Sequence, residues 1–179
     1  YLNELTITMT KHNLFATPLW HIEETPQQLV DELYNGAYHF KEEYPSSNRS
    51  NQGGYQTPAF DWEMFHPQGI EYIDKVVGDI FKFKVESWWY NINGKGHWNS
   101  PHTHPSCDLA LVLYLTETDN LLTLINPFAH RNYSGDREDI SPQTKKGNIV
   151  IFPGDILHFV RPNPRDEDRI SISMNLQLC

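Results

Sequence analysis

The chain has 179 residues, of which 21% are charged and 13% aromatic, and its formal net charge is −9. That length suits one domain, 1–179, with a sizeable core, and Trp, Tyr and Phe spread along it exclude a disordered composition. The acidic balance argues against nucleic acid or an anionic membrane surface as partner, and no apolar run reaches the roughly 18 residues of a membrane span.

Residues 1–8, just before Met9, are read as an expression or processing remnant and set aside. With no signal-like opening, a cytoplasmic location is expected. Residues 13–22 are apolar around Pro18 and read as an edge strand or extended lead-in. Thr25 looks like an N-cap with Pro26 at the first helical position. Leu29, Leu33, Ala37, Phe40 and Tyr44 then mark an amphipathic helix that ends at Pro45. Residues 46–57 form a polar, glycine-bearing loop. A second helix fits 69–81, with Ile70, Ile73, Val77 and Ile80 on one face. From Lys82 the period becomes two: Phe83, Val85, Ser87, Trp89 and Asn91 alternate with Lys84, Glu86, Trp88 and Tyr90. Further strands are expected at 109–116, 121–126, 148–152, 156–161 and 169–178. The 20 residues 127–146 are a polar insertion of the kind that serves as a lid or substrate contact. Two cysteines, Cys107 and Cys179, are too few for a disulfide framework. The element pattern is mainly β with flanking helices, an α+β jelly roll whose mouth can hold a metal and a small molecule.

Two pieces of the chain carry chemistry. His102 and His104 stand two residues apart, a spacing that in a strand points both rings to one face. His158, in a Pro-Gly turn context downstream, is the best third member of a metal-binding face that leaves other positions of an octahedral ion open. Asp108 is a rival ligand, because two histidines with one carboxylate are the common ferrous arrangement. The plain alternative is two ordinary histidines in a loop that also holds His97, itself read as peripheral. His12, His21, His39, His66 and His130 have no matching partners and are read as structural or exposed. In the last strand Arg169, Ser171, Ser173 and Asn175 share one face, opposite Ile170, Ile172, Met174 and Leu176. If the apolar face meets the helices, Arg169 points into the barrel and needs an anion. A bidentate carboxylate would meet that need, with the Ser171 hydroxyl as a further donor. The bland reading keeps Arg169 in solvent, or pairs it with Asp155 or Asp168.

The ordered set His102-x-His104, Tyr114, His158 and Arg169-x-Ser171 resembles the 2-oxoglutarate/Fe(II)-dependent dioxygenase superfamily. The stretches SNQGGYQT (50–57), ESWWYNINGKG (86–96), HTHP (102–105), FPGDILHFVRPN (152–163) and RISISMN (169–175) resemble the 2OG-Fe(II) oxygenase family of bacteria and phages. The resemblance implies a double-stranded β-helix, Fe(II) as cofactor and 2-oxoglutarate as co-substrate. It matches His102 and His158 to the first and last metal ligands, and Arg169 and Ser171 to the grip on the distal carboxylate. Tyr114 falls at a supporting tyrosine of prolyl hydroxylases, and Asn91 is expected to face the same pocket. His104 stands where most of the superfamily carry Asp or Glu. The implied reaction is hydroxylation of a protein, peptide (including prolyl) or small-molecule substrate, with 2-oxoglutarate converted to succinate. Two rivals share the fold: a cupin-type three-histidine metal protein without 2-oxoglutarate, and a non-catalytic interaction module. Both a monomer and a homodimer fit the sequence.

Overall fold

The computed structural model describes residues 16–47, 49–128 and 138–179. The expected remnant at 1–8, the start of the lead-in strand, His12, His130 and the middle of the 127–146 insertion lie outside the described residues.

Two antiparallel sheets face each other. The larger has the order β1 (Trp20–Ile22), β8 (Ile149–Pro153), β6 (Leu109–Tyr114), β10 (Arg169–Leu178), β4 (Phe83–Asn93) and β3 (Tyr55–Gln56). The smaller runs β2 (Asn51–Gln52), β5 (Trp98–His102), β9 (His158–Val160) and β7 (Leu122–Leu124). Helices α1 (Gln27–Glu43) and α2 (Pro67–Gly78) cover the outer face of the larger sheet. This is the expected double-stranded β-helix.

Strand alternation sorts the apolar residues into two cores. Leu111 and Leu113 of β6, Ile149 and Ile151 of β8, and Ile170, Ile172 and Met174 of β10 pack outward against Leu29, Val30, Leu33, Ile73 and Val77 of the helices. The intervening residues Ala110, Tyr114, Val150 and Phe152 point inward and meet Leu122 of β7, closing one end of the sandwich. Period-two strands buried on both faces read as unbroken apolar runs, and LALVLY and IVIF are such runs. On β10 the apolar face does meet the helices, so Arg169, Ser171, Ser173 and Asn175 face the interior.

Several expectations change. Pro26, not Thr25, occupies the cap of α1, and no side chain caps the helix. Thr25 is instead buried, with its N–H donating to Gly147 O at 2.9 Å, which ties the start of α1 to the loop before β8. Helix α2 begins at Pro67 and stops at Gly78, leaving Ile80 outside it and exposed. The alternation expected along β4 breaks at a bulge: Asn175 pairs with Ser87 and Leu176 with Val85, so Glu86 is the extra residue. Val85 thereby joins Trp88, Tyr90 and Ile92 in the outer core, while Ser87, Trp89 and Asn91 face inward. A bulge changes which face follows it, and composition does not announce one.

The 46–57 loop supplies a strand to each sheet, β2 and β3, joined through Gly53 and Gly54. Gly53 has φ +79°, a conformation side chains rarely adopt. A Cβ on Gly54 would sit 2.6 Å from Asn51 Oδ1, 2.8 Å from Ile92 O and 2.9 Å from Asn93 Oδ1. Because Ile92 O is backbone, the clash cannot be relieved by a rotamer change. Gly54→Ala should destabilise the protein by about 2 kcal/mol, the usual scale of overpacking, read as a lower urea midpoint at unchanged slope.

Of the 127–146 insertion, the described second half lies back on the smaller sheet. Ile140 bridges Leu124, Ser141 meets Thr123 at 3.1 Å, and Thr144 meets Thr118 at 2.7 Å.

Candidate metal centre and adjoining pocket

Three histidines come together between the sheets. His102 is the last residue of β5 and stands directly opposite His158, the first of β9. His104 lies beyond the strand, so the two clustered residues do not share one strand as expected. Its backbone N–H donates to Gly154 O at 2.7 Å, fixing it beside the β8–β9 turn. One ring nitrogen from each of His102, His104 and His158 lies within 4.8 Å of the others. The three rings are 4.3–5.3 Å apart between centroids.

Their tautomers follow from their partners. His102 Nδ1 meets Ser100 O at 2.7 Å, His158 Nδ1 meets Ile156 O at 2.8 Å, and His104 Nδ1 meets Asn175 Oδ1 at 2.6 Å. A carbonyl oxygen can only accept, so each Nδ1 carries the proton and each Nε2 keeps its lone pair for a metal. Asn175 is itself held by donating from Nδ2 to Ser87 Oγ at 3.2 Å. Trp89 stacks on the other side of His104, with centroids 5.6 Å apart and planes 17° apart.

Burial holds all three rings neutral. His158 is pushed down to about 3, chiefly by burial and then by the nearby His102, and His102 and His104 are lowered for the same leading reason. An unfolded histidine titrates near 6.5. Between that value and the folded one, the unfolded chain binds protons that the folded chain refuses, so stability is full above about 6.5 and falls as pH drops below it. We expect the melting temperature of metal-free protein to decline progressively from pH 7 to pH 5 in a thermal scan. Metal should be lost over the same window, since a proton on Nε2 displaces it.

Asp108 does not reach this group. Its carboxylate accepts from Leu178 N at 2.8 Å and from the Gln177 amide, at the far end of β10. Pro105 and the turn that follows redirect the chain between His104 and β6. His97 lies in the β4–β5 turn, where its Nδ1 accepts from Gly94 N. Of the aromatic residues nearby in sequence, Trp88 and Tyr90 belong to the outer core, Trp98 is exposed, and Trp89 lines the interior.

The pocket behind the histidines holds Arg169, Ser171, Tyr114 and Asn91. Counting its open mouth, it encloses about 510 Å³ free of atoms. Cross-strand register brings the set together, because Ser171 pairs with Asn91 on one side and Tyr114 on the other. Arg169 is 5% exposed and has no carboxylate partner among the described residues. Its Nη2 donates to Asn99 Oδ1 at 3.3 Å, and its Nε has no partner. Asp168, a counter-ion only in the bland reading, turns outward and accepts from Tyr38 Oη at 3.0 Å. Asn91 Oδ1 and the Tyr114 hydroxyl are also buried without a hydrogen bond. Burial lowers Arg169 to about 10, against the attraction of Tyr114, and raises Tyr114 to about 12. Arg169 is therefore cationic at neutral pH in a cavity that supplies no anion.

Behind Arg169 lies an amide network that sequence reasoning missed. The Asn93 amide lies 2.6 Å from the Asn51 amide and 3.0 Å from the Asn99 amide, and with its oxygen turned to Arg169 it accepts from Nη2 at 2.8 Å. These asparagines come from β2, β4 and β5, and they position the guanidinium without neutralising it. Asn91 and Asn93 are on one face of β4, which was the one available signal.

Residues 87–175 match a family described as "Putative 2OG-Fe(II) oxygenase". The fold is similar to a prolyl-4-hydroxylase from Pseudomonas putida, with TM-score 0.61 and 14% identity over 91% of this chain and 94% of that one. HygX from Streptomyces hygroscopicus, with nickel and 2-oxoglutarate bound, gives TM-score 0.64 and 9% identity over 90% and 83%. SnoN, a non-heme alpha ketoglutarate dependent epimerase from nogalamycin biosynthesis, gives 0.68 and 12% over 90% and 78%. A search of the curated proteins found no sequence match. The matched region contains the three histidines, Asn91, Tyr114, Arg169 and Ser171, and it is over this stretch, just under half of the chain, that the protein matches the 2OG-Fe(II) oxygenase family.

Proposed function

We propose that this protein is a hydroxylase whose iron is held by His102, His104 and His158 and whose 2-oxoglutarate is held by Arg169. The observation that carries the reading is a buried, unneutralised guanidinium in the cavity that the three imidazoles close. A dicarboxylate bound to iron at one end needs a cation for its other carboxylate, and Arg169 offers a fork suited to bidentate contact. Ser171 and the Tyr114 hydroxyl are placed to donate to the same group. When bound, iron and 2-oxoglutarate supply oxidative decarboxylation to succinate and carbon dioxide and the oxidising power for C–H hydroxylation.

The residues of the chain position and exclude. Asn175 and the carbonyls of Ser100 and Ile156 keep each Nδ1 protonated, so the three Nε2 atoms stay convergent. Phe152 packs edge-on against His158 at 4.8 Å between centroids, and Leu122 and Val160 line the pocket wall against water. Because His104 takes the place of a carboxylate, the ligand set carries no negative charge. The substrate, protein, peptide or small molecule, would approach from the opposite side of the histidines. Prolyl hydroxylation is the analogy drawn from the Pseudomonas protein.

The three-histidine alternative without 2-oxoglutarate leaves Arg169 with no anion to meet. An anaerobic titration of metal-free protein with Fe(II), then 2-oxoglutarate, separates the two readings. A visible metal-to-ligand charge-transfer band on the second addition supports the dioxygenase, and iron binding without that band contradicts it.

A further inference from the structure

On the outer side of the histidines is a second, wider cleft, about 1010 Å³ counting its open mouth. It shares Ser50, Trp89, His102 and His104 with the inner pocket, so the two cavities meet at the candidate metal centre. Gln56 lines this cleft from β3. It pairs with Asn91 across β3–β4, which turns its side chain to the same interior face. Gln56 is only 5% exposed, yet its Oε1 is buried without a hydrogen bond. A buried amide left unpaired is destabilising, and such a cost persists where a ligand supplies the missing partner. Arg49 stands in the same cleft, and no Asp or Glu is among the described residues lining it, although the chain as a whole carries −9.

Resting on the function proposed above, we infer that this cleft seats the substrate to be oxidised and that the substrate is peptide-like. Its amide N–H donates to Gln56 Oε1, and its carboxylate meets Arg49. The flat face of Trp89, fixed by stacking on His104, carries the part between them beside the metal. A cationic substrate would be opposed by Arg49, and a purely apolar one would leave Gln56 unpaired.

The test uses full-length protein loaded anaerobically with Fe(II) and 2-oxoglutarate, so that the charge-transfer band first reports the co-substrate. Two pools of acetyl-Ala-X dipeptides, X being each of the twenty residues, are then added as free acids or as C-terminal amides. The acids should shift the band and bind about tenfold more tightly than the amides. Gln56→Leu should weaken acid binding about tenfold while leaving the melting temperature of ligand-free protein unchanged or higher, because the amide head has no partner to lose. Arg49→Ala should erase the preference for acids over amides. A normal band that neither pool shifts overturns the inference and leaves the oxygenase standing. So does Gln56→Leu that melts earlier and binds acids as well as the parent, which would make Gln56 structural. Absence of the band itself would remove the function proposed above, and this inference with it.

Discussion

Arg169→Leu should abolish 2-oxoglutarate binding and, in the same protein, raise the stability of the ligand-free fold. The two effects share one cause. Arg169 is buried with only neutral amides as partners, and its Nε has none. Hydrogen bonds to a charged group are worth about 1.5–3 kcal/mol each, so losing a bidentate grip on a carboxylate should weaken 2-oxoglutarate at least about 100-fold. Without that ligand the guanidinium is a cost, and replacing buried charge by packed apolar volume often gains about 1–4 kcal/mol. Thermal scans of metal-loaded protein with and without 2-oxoglutarate check both. The parent should gain about 2.7 kcal/mol at a hundred times Kd, whereas the variant should start higher and gain nothing. A variant that melts lower and still responds to 2-oxoglutarate would make Arg169 a structural residue of the asparagine network.

His158→Ala should remove metal binding, and Asp108→Asn should not. His158 faces His102 across the β5–β9 pair with its Nδ1 already committed to Ile156 O. Losing a supporting contact to a metal ligand costs about 10–100-fold in affinity, so losing the ligand should cost more than about 100-fold. Asp108 spends its carboxylate on the end of β10, so its variant should bind metal as the parent does, with a small loss of stability at that strand end. His97→Ala is a further control, since His97 only closes the β4–β5 turn. Calorimetric titration with Fe(II) or Ni(II) separates these outcomes. Retained binding in His158→Ala, or its loss in Asp108→Asn, would return the carboxylate to the centre.

How much of this was legible beforehand depends on the range over which each signal acts. Helix α1 and strands β6, β8 and β10 carry their periodicity within a few residues, so their positions were readable to within a residue or two. The inward face of β10 was readable too, because alternation of Ser, Ser and Asn with Ile, Ile and Met needs only a period of two. The β4 bulge at Glu86 was not, since a register shift is a property of the pair formed with Leu176 and Asn175. The loop 46–57 looked structureless because two-residue strands have no period to show.

Local order along the chain determined the apolar strands, the polar face that carries Arg169 and Ser171, and the histidine spacing that pointed to a metal. The tertiary structure alone decided three things: that β5 and β6 belong to different sheets, that Asp108 turns away, and that Asn51, Asn93 and Asn99 stand behind Arg169. It also left Gln56 unpaired beside the histidines. Each depends on which distant strand lies alongside, and a side chain's partners are set by that pairing and not by its neighbours in sequence.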